Sequence, residues 1–161
     1  MKVNLNIVSH FLNQAHLSPE SIAIEDKQQS FSYGDLNKLV SDYTAYFEAK
    51  GVKKGSKIII LHTPCVELFA SILALLGKGC SVVFVEEWSK LSDISSCCQT
   101  IQCDYMITGL KGKCIRLFNN TLRKIKLLNI HSVPENLSTE ISLVQMDEST
   151  PAIISFSSGS S

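Results

Sequence analysis

The stretch KIIILHTPCVELFASILALLGKGCSVVFV, residues 57–85, decides the fold. It begins with an apolar run at Lys57–Leu61 and ends with another at Ser81–Val85, and continuous runs of this kind are typical of strands covered on both faces. Between them, a threonine and a first-turn proline precede a helix over Cys65–Leu76, which Gly79 ends. A strand, a helix and a strand joined by short turns predict a parallel βαβ unit.

The same stretch has a competing interpretation, because Val66–Val85 is nearly apolar and about long enough to span a bilayer. However, Gly77-Lys78-Gly79 falls where a turn is needed and would be unfavourable in hydrocarbon. The sequence therefore favours a buried helix, a turn and a buried strand, and it predicts no membrane span.

Downstream, Ser89–Thr100 is a helix candidate and Asp104–Thr108 a third strand. The predicted fold class is α/β, a parallel βαβαβ sheet flanked by helices. Six side chains on these elements are expected to be almost solvent-free: Ile59, Leu61, Phe69, Leu73, Val83 and Ile107.

Upstream, Asn6 is the predicted cap of a short amphipathic helix. Strands at Ser21–Glu25 and Gln29–Ser32 form a predicted hairpin. Ser32-Tyr33-Gly34-Asp35 then resembles a capping box, and the helix that it starts is predicted to end at Gly51.

Composition excludes several classes of protein. Fifteen basic and fifteen acidic residues give no net charge, so no global field favours nucleic acid or an anionic membrane. The six cysteines occur without a signal peptide, which favours a reduced, cytoplasmic location. Neither cysteines nor histidines show the spacing of a metal site, and none is predicted.

The last eleven residues, Pro151–Ser161, join an apolar, β-prone run to Ser157-Ser158-Gly159-Ser160-Ser161. Glycine allows unusual backbone angles and close approach, and serine hydroxyls are neutral donors that fit phosphate oxygens. The pattern therefore predicts a strand that leads into a phosphate-binding loop. It matches neither the Walker A motif nor the dinucleotide fingerprint. The alternative is a flexible glycine–serine tail or linker.

This end of the chain resembles the phosphate loop of the adenylate-forming superfamily, which includes acyl-CoA synthetases, luciferase-like enzymes and peptide-synthetase adenylation domains. The family's loop reads Thr/Ser-Ser-Gly-Ser/Thr-Thr/Ser-Gly-Lys-Pro-Lys, and Ser157, Ser158, Gly159, Ser160 and Ser161 match its first five positions. Phe31–Leu36, Gly51–Ile58, Glu67 and the Leu73, Ala74 and Gly79 set also resemble family patterns, in the same order. The chain departs from the pattern after its second strand, where the family usually has proline and a nearby aspartate.

The resemblance implies that residues 1–161 are the N-terminal part of an AMP-binding (adenylation) domain, ending inside the phosphate loop. It implies an ATP-dependent, AMP-forming acid–thiol ligase that uses Mg²⁺. A carboxylic acid attacks the α-phosphate of ATP, and the acyl-adenylate then passes its acyl group to CoA or to a carrier-protein phosphopantetheine. Ser157, Ser158, Ser160 and Ser161 would bind phosphate oxygens, with Gly159 providing the turn. No catalytic residue is expected in this chain, which alone should be inactive.

Three alternatives stay open at this point. The first is a free-standing α/β binding or interaction module with a flexible serine tail, and the second is an inactive remnant. The third concerns six Lys and Arg residues between Tyr105 and Pro134, which form either a solvated face or an anion-binding strip. In addition, Ile153–Phe156 is expected to dock on the sheet if its neighbouring strands lie within residues 1–150. If they lie downstream, the strand becomes an unpaired edge that favours dimerisation or aggregation.

Overall fold

The computed structural model describes residues 6–25, 29–85, 91–134, 137, 141–146 and 149–156. For residues 91–93 it describes the backbone alone. Together these ranges form the described part of the chain. Its helices are α1 Val8–Leu17, α2 Tyr33–Ala49, α3 Val66–Gly77, α4 Leu91–Ile101, α5 Leu110–Leu117 and α6 Asn120–Lys124. Its strands are β1 Ile22–Glu25, β2 Ser30–Ser32, β3 Lys57–Leu61, β4 Ser81–Val85, β5 Tyr105–Thr108, β6 Lys126–Leu128 and β7 Ile153–Phe156.

Five of these strands form one sheet in the order β6-β5-β3-β4-β7, and every neighbouring pair is parallel. The predicted α/β class and the parallel arrangement of β3, β4 and β5 are therefore confirmed. Because the first strand of the sheet in chain order, β3, lies at its centre, the chain adds β4 on one side and then crosses back to add β5 on the other.

Helices cover both faces of the sheet, and alternation along the strands divides the core in two. Ile58 and Ile60 belong to a core shared with α1, α2 and α3. Ile59 and Leu61 point the other way and pack with residues of α4 and α6. All four side chains are at most 3% exposed, which is why the sequence reads as an unbroken apolar run.

Two of the six predicted core residues are wrong. Phe69 is 44% exposed and Leu73 is only half-buried, whereas Leu68 and Leu75 on the same helix are buried. A helix turns 100° per residue, so Leu68 and Leu75, seven positions apart, lie on the same face. Phe69, one position after Leu68, lies about 100° away from that face. The prediction took Phe69 and Leu73 from an almost wholly apolar helix, but the phase of the helix decides which residues are buried. The other four predicted core residues are buried.

The N-terminal elements agree with the predictions except at the start of α1, where Ile7 and not Asn6 is the N-cap residue. A turn expected at Asp26-Lys27 lies outside the described residues. The side-chain oxygen of Asn6 accepts a hydrogen bond from the Val8 amide at 3.1 Å, at the start of α1. Strands β1 and β2 pair antiparallel. At the start of α2, Ser32 and Asp35 form both hydrogen bonds of a capping box.

The C-terminal half contains three elements that were not predicted, α5, α6 and β6, and one strand that was left conditional. Strand β6 has only three residues, too few for a recognisable apolar run, and it was missed. Strand β7 was predicted to dock if its neighbours lay within the chain, and it pairs with β4 along Val82–Val85. Its other side forms the edge of the described sheet. None of the helices in the described ranges combines the length and hydropathy needed to cross a bilayer.

Candidate functional site

The carboxyl end of the parallel sheet contains a crevice between β3 and β5. The helices that follow these two strands lie on opposite faces of the sheet. Helix α3, after β3, packs in the core shared with α1 and α2. Ile115 of α5, after β5, packs against the core shared with α4 and α6. Such a switch point leaves an opening at the carboxyl ends of the strands, where open α/β sheets bind ligands. Here the opening is a cavity of about 240 Å³, lined by Leu61, His62, Thr63, Gly109, Leu110, Lys111 and Gly112.

A close contact between β5 and α5 shapes the floor of this crevice. The Thr108 hydroxyl donates a hydrogen bond to the Leu61 carbonyl at 3.0 Å, which ties the ends of β5 and β3 together. Gly112 lies directly against it, since a Cβ there would be 1.7 Å from the Thr108 Oγ1. Only glycine lets the first turn of α5 approach the strand end so closely.

Two histidines meet beside the crevice. The Nε2 atoms of His62 and His131 are 3.0 Å apart, and the ring centroids are 5.1 Å apart. The Nδ1 of His62 lies 2.7 Å from the Thr63 carbonyl oxygen. The Nδ1 of His131 lies 4.0 Å from Oε1 of Glu67 on α3. We call His62 and His131 the histidine pair.

His131 reaches His62 across β5 because the turn after β6 is held on both sides. The Asn129 side-chain oxygen accepts from the His131 amide at 3.2 Å, an Asx turn that orients the backbone. The Tyr46 hydroxyl accepts from the Asn129 amide at 3.0 Å, and the Tyr43 hydroxyl donates to the Ile130 carbonyl. Helix α2 therefore positions the turn that carries His131.

A second cavity, of about 210 Å³, lies on the other side of His131 and is lined by Leu39, Asp42, Tyr43, Glu67, Ile130, His131, Val133 and Pro134. Its polar groups have protein partners, since the Asp42 carboxylate accepts from the Leu137 amide at 2.8 Å. Burial, followed by the nearby Glu67 carboxylate, raises the pKa of Tyr43 well above its usual value. The Tyr43 hydroxyl therefore stays protonated and serves as a structural donor.

Cys65 precedes α3 and could have been a reactive thiolate, because a helix N-terminus favours negative charge. Burial instead raises its pKa, and its Sγ is 3.9 Å from Nδ1 of His62. The neutral thiol therefore predominates.

The predicted phosphate-loop residues, Ser157, Ser158, Gly159, Ser160 and Ser161, lie outside the described residues, and their role stays a prediction. The strand before them is described. Phe156 pairs with Val85 at the carboxyl end of β4, so β7 ends at the same edge of the sheet as the crevice. With neighbouring strands about 4.8 Å apart, β7 is about 10 Å from β3.

The six basic residues of the predicted strip do not form one surface. Arg116 donates to the carbonyl oxygens of Leu122, Arg123 and Ile125, so it holds α5 against α6. Lys111 lines the crevice, whereas Lys124 and Lys126 line a cavity of about 440 Å³ beside the amino ends of β5 and β6. The alternative that all six basic residues form one anion-binding strip is therefore wrong.

The sequence interpretation missed His62 and His131. A signal for His62 was available, because it directly follows a buried parallel strand, where ligand-binding residues concentrate. His131 had no such signal, since β6 is short and the histidines are 69 positions apart. Only the fold brings them together.

Comparisons with known proteins agree with this architecture. Residues 11–161 match the family of AMP-binding enzymes. The nonribosomal peptide synthetase sirP of Leptosphaeria maculans is 31% identical over 106 residues, which are 65% of this chain and 5% of that protein. The chain thus spans a small part of this relative.

Two solved structures share the fold. The N-terminal subdomain of Klebsiella oxytoca NpsA, in complex with 3-hydroxybenzoyl-AMSN, has a TM-score of 0.78 at 20% identity, over 99% of this chain and 41% of that one. O-succinylbenzoate coenzyme A synthetase (MenE) from Bacillus subtilis, in complex with AMP, has a TM-score of 0.77 at 17% identity, over 93% and 39%. Because the family match extends over nearly the whole sequence, the chain belongs to the family of AMP-binding enzymes.

Proposed function

We propose that residues 1–161 are the N-terminal part of the adenylation domain of an ATP-dependent, acid-activating ligase. In this reaction a carboxylate attacks the α-phosphate of ATP, which forms an acyl-adenylate and releases pyrophosphate. The acyl group then passes to a thiol. The proposal rests on the family membership of the chain and on the direction of β7.

The observation that carries the proposal is the end of β7. This strand runs parallel to β4 and leads toward Ser157–Ser161 at the sheet edge that also contains the crevice. The carboxyl edge of a parallel sheet is where phosphate-bearing ligands bind in open α/β folds. A loop of four serines and one glycine at this edge has the hydroxyl and amide donors that phosphate oxygens need.

The role proposed for this loop is electrostatic. Hydrogen-bond donors that are already oriented stabilise charge that develops as pyrophosphate leaves, and they need no reorganisation during the reaction. Ser157, Ser158, Ser160 and Ser161 would supply hydroxyls and amides, and Gly159 the turn. Mg²⁺ is proposed as the counter-ion of ATP.

For the acceptor, we propose a carrier-protein phosphopantetheine thiol in preference to CoA. The sequence relative at 31% identity is named a nonribosomal peptide synthetase, whereas the coenzyme A synthetase resembles this chain at 17% identity and supports the fold alone. Sequence similarity therefore favours the carrier protein.

The loop is tested in the longer protein that contains this chain. Ser158→Ala removes one hydroxyl donor, and it should lower carboxylate-dependent ATP–pyrophosphate exchange by about 10²–10³-fold if that donor stabilises the transition state. Ser155→Ala is a matched control, because Ser155 is exposed on β7 just before the loop, and it should leave the exchange rate unchanged. Equal rates for both variants would contradict a phosphate-binding role for Ser158.

The acceptor is tested separately, by single-turnover transfer from the preformed acyl-adenylate. Transfer to a phosphopantetheinylated carrier protein should be faster than transfer to free CoA. Faster transfer to CoA would reverse the choice of acceptor and leave the adenylation step unaffected.

A further inference from the structure

We propose that the histidine pair is a binding site for one divalent transition-metal ion of the Ni²⁺ or Zn²⁺ class, with His62 and His131 as its protein ligands. The site uses none of the residues proposed for the phosphate loop. It lies between the crevice and the cavity beside Glu67.

The ring nitrogens of the pair face each other. The Thr63 carbonyl oxygen can only accept, so Nδ1 of His62 is its donor at 2.7 Å, which leaves Nε2 of that ring as an acceptor. This Nε2 lies 3.0 Å from Nε2 of His131, so the two rings share one proton in a hydrogen bond. A metal ion in the place of that proton would be bound by both rings, with the Glu67 carboxylate 4.0 Å from Nδ1 of His131 as nearby negative charge.

The separation of the two Nε2 atoms suits one bound metal ion. Imidazole nitrogens bind zinc at about 2.0–2.1 Å, and two tetrahedral ligands at that distance are about 3.3 Å apart. The observed separation of the Nε2 atoms is 3.0 Å, with ring centroids at 5.1 Å. A shift of a few tenths of an ångström therefore brings both nitrogens into position around one ion.

Groups behind the two rings support them to different degrees. Histidines that bind metals usually donate their other ring nitrogen to a backbone carbonyl or a carboxylate, which fixes the tautomer. His62 has the Thr63 carbonyl in this position at 2.7 Å, whereas the Glu67 carboxylate lies 4.0 Å from Nδ1 of His131 and would have to approach it by about 1 Å to accept a hydrogen bond. The Asx turn at Asn129 additionally orients the backbone of His131.

The pair supplies two ligands. In the described ranges no third His, Cys, Asp or Glu side chain joins them in a metal-binding group, so water or a bound substrate completes the coordination. Imidazole suits Ni²⁺ and Zn²⁺. Ni²⁺ is the better probe here, because Zn²⁺ also binds thiolates and Cys114 is an exposed free cysteine.

The experiment is titration of the chain with NiCl₂ near neutral pH, followed by calorimetry. We expect one Ni²⁺ per chain. Glu67→Gln keeps both ligands but removes the supporting carboxylate, and should weaken binding about 10–100-fold. His62→Gln and His131→Gln should each weaken it more than Glu67→Gln does. His16→Gln, an exposed histidine on α1, is the matched control and should bind like the unmodified chain.

A second measurement needs no variant and so does not depend on how a variant folds. Paramagnetic Ni²⁺ should broaden the imidazole proton resonances of His62 and His131 before those of His10 and His16. Equal broadening of all four histidines, the absence of binding at millimolar Ni²⁺, or a site abolished by Cys114→Ser but not by His62→Gln would each overturn the proposal.

Discussion

At the scale of single residues, two contacts decide local structure. One is the capping box at the start of α2, in which the Asp35 carboxylate accepts from the Ser32 amide at 3.1 Å and from the Ser32 hydroxyl at 2.7 Å. The other is the contact between Gly112 and Thr108. The capping box follows from residue order and was predicted. The glycine contact could not be predicted, because it depends on how α5 packs against the end of β5.

The capping box predicts a specific dependence of stability on pH. The hydrogen bonds from Ser32 lower the pKa of Asp35 below its ordinary value of 3.8. A depressed carboxylate pKa adds stability that is present above the unfolded-state value and is lost as the pH falls through the folded-state value. Asp35→Asn should therefore flatten the acid side of the stability curve below about pH 4. Urea unfolding at a series of pH values measures this, and an unchanged acid limb would contradict it.

At the contact between α5 and β5, Gly112→Ala should destabilise the chain by about 1–3 kcal/mol, the usual cost of overpacking. The new Cβ would overlap the Thr108 hydroxyl, and the Thr108 bond to the Leu61 carbonyl would have to give way. Gly109→Ala is the control, because its Cβ would meet His62 at an ordinary 3.7 Å. Chemical denaturation compares the two, and equal losses would show that the close approach is not needed.

At the scale of elements, the buried strands were predictable because both faces of a parallel sheet are covered, and runs such as Ile58–Leu61 need no alternation. The helix between β3 and β4 was also predictable, but its buried face was not. Its residues are apolar apart from Glu67 and Ser71, so few polar positions mark the exposed face, and the sequence interpretation did not separate Leu75 from Phe69. Contacts with α2 make that choice.

For α3 this distinction gives a direct test. Leu75→Ala should cost about 2–5 kcal/mol of unfolding free energy, because Leu75 is fully buried and its removal leaves a cavity. Phe69→Ala removes a larger side chain that is 44% exposed, and should cost clearly less. Thermal or urea unfolding of both variants measures the difference. A larger loss at Phe69 would mean that the helix packs in another phase.

At the scale of the whole molecule, the sheet ends in an edge strand. Ile153 on β7 is 56% exposed, and an exposed apolar edge favours pairing with another chain. We therefore predict that the 161-residue chain self-associates as its concentration rises. Ile153→Lys should lower the association constant, since charge on an edge strand opposes such pairing. Sedimentation equilibrium measures it, and a chain that stays monomeric at high concentration would contradict the prediction.

The central claim is that this fold belongs to an enzyme that activates carboxylic acids with ATP. Its most direct test is carboxylate-dependent exchange of pyrophosphate into ATP, measured across a panel of amino acids and aryl acids. We expect exchange with at least one acid in the longer protein that contains this chain, and none from residues 1–161 alone. The absence of exchange across the panel in the longer protein, or exchange catalysed by residues 1–161 alone, would contradict this account.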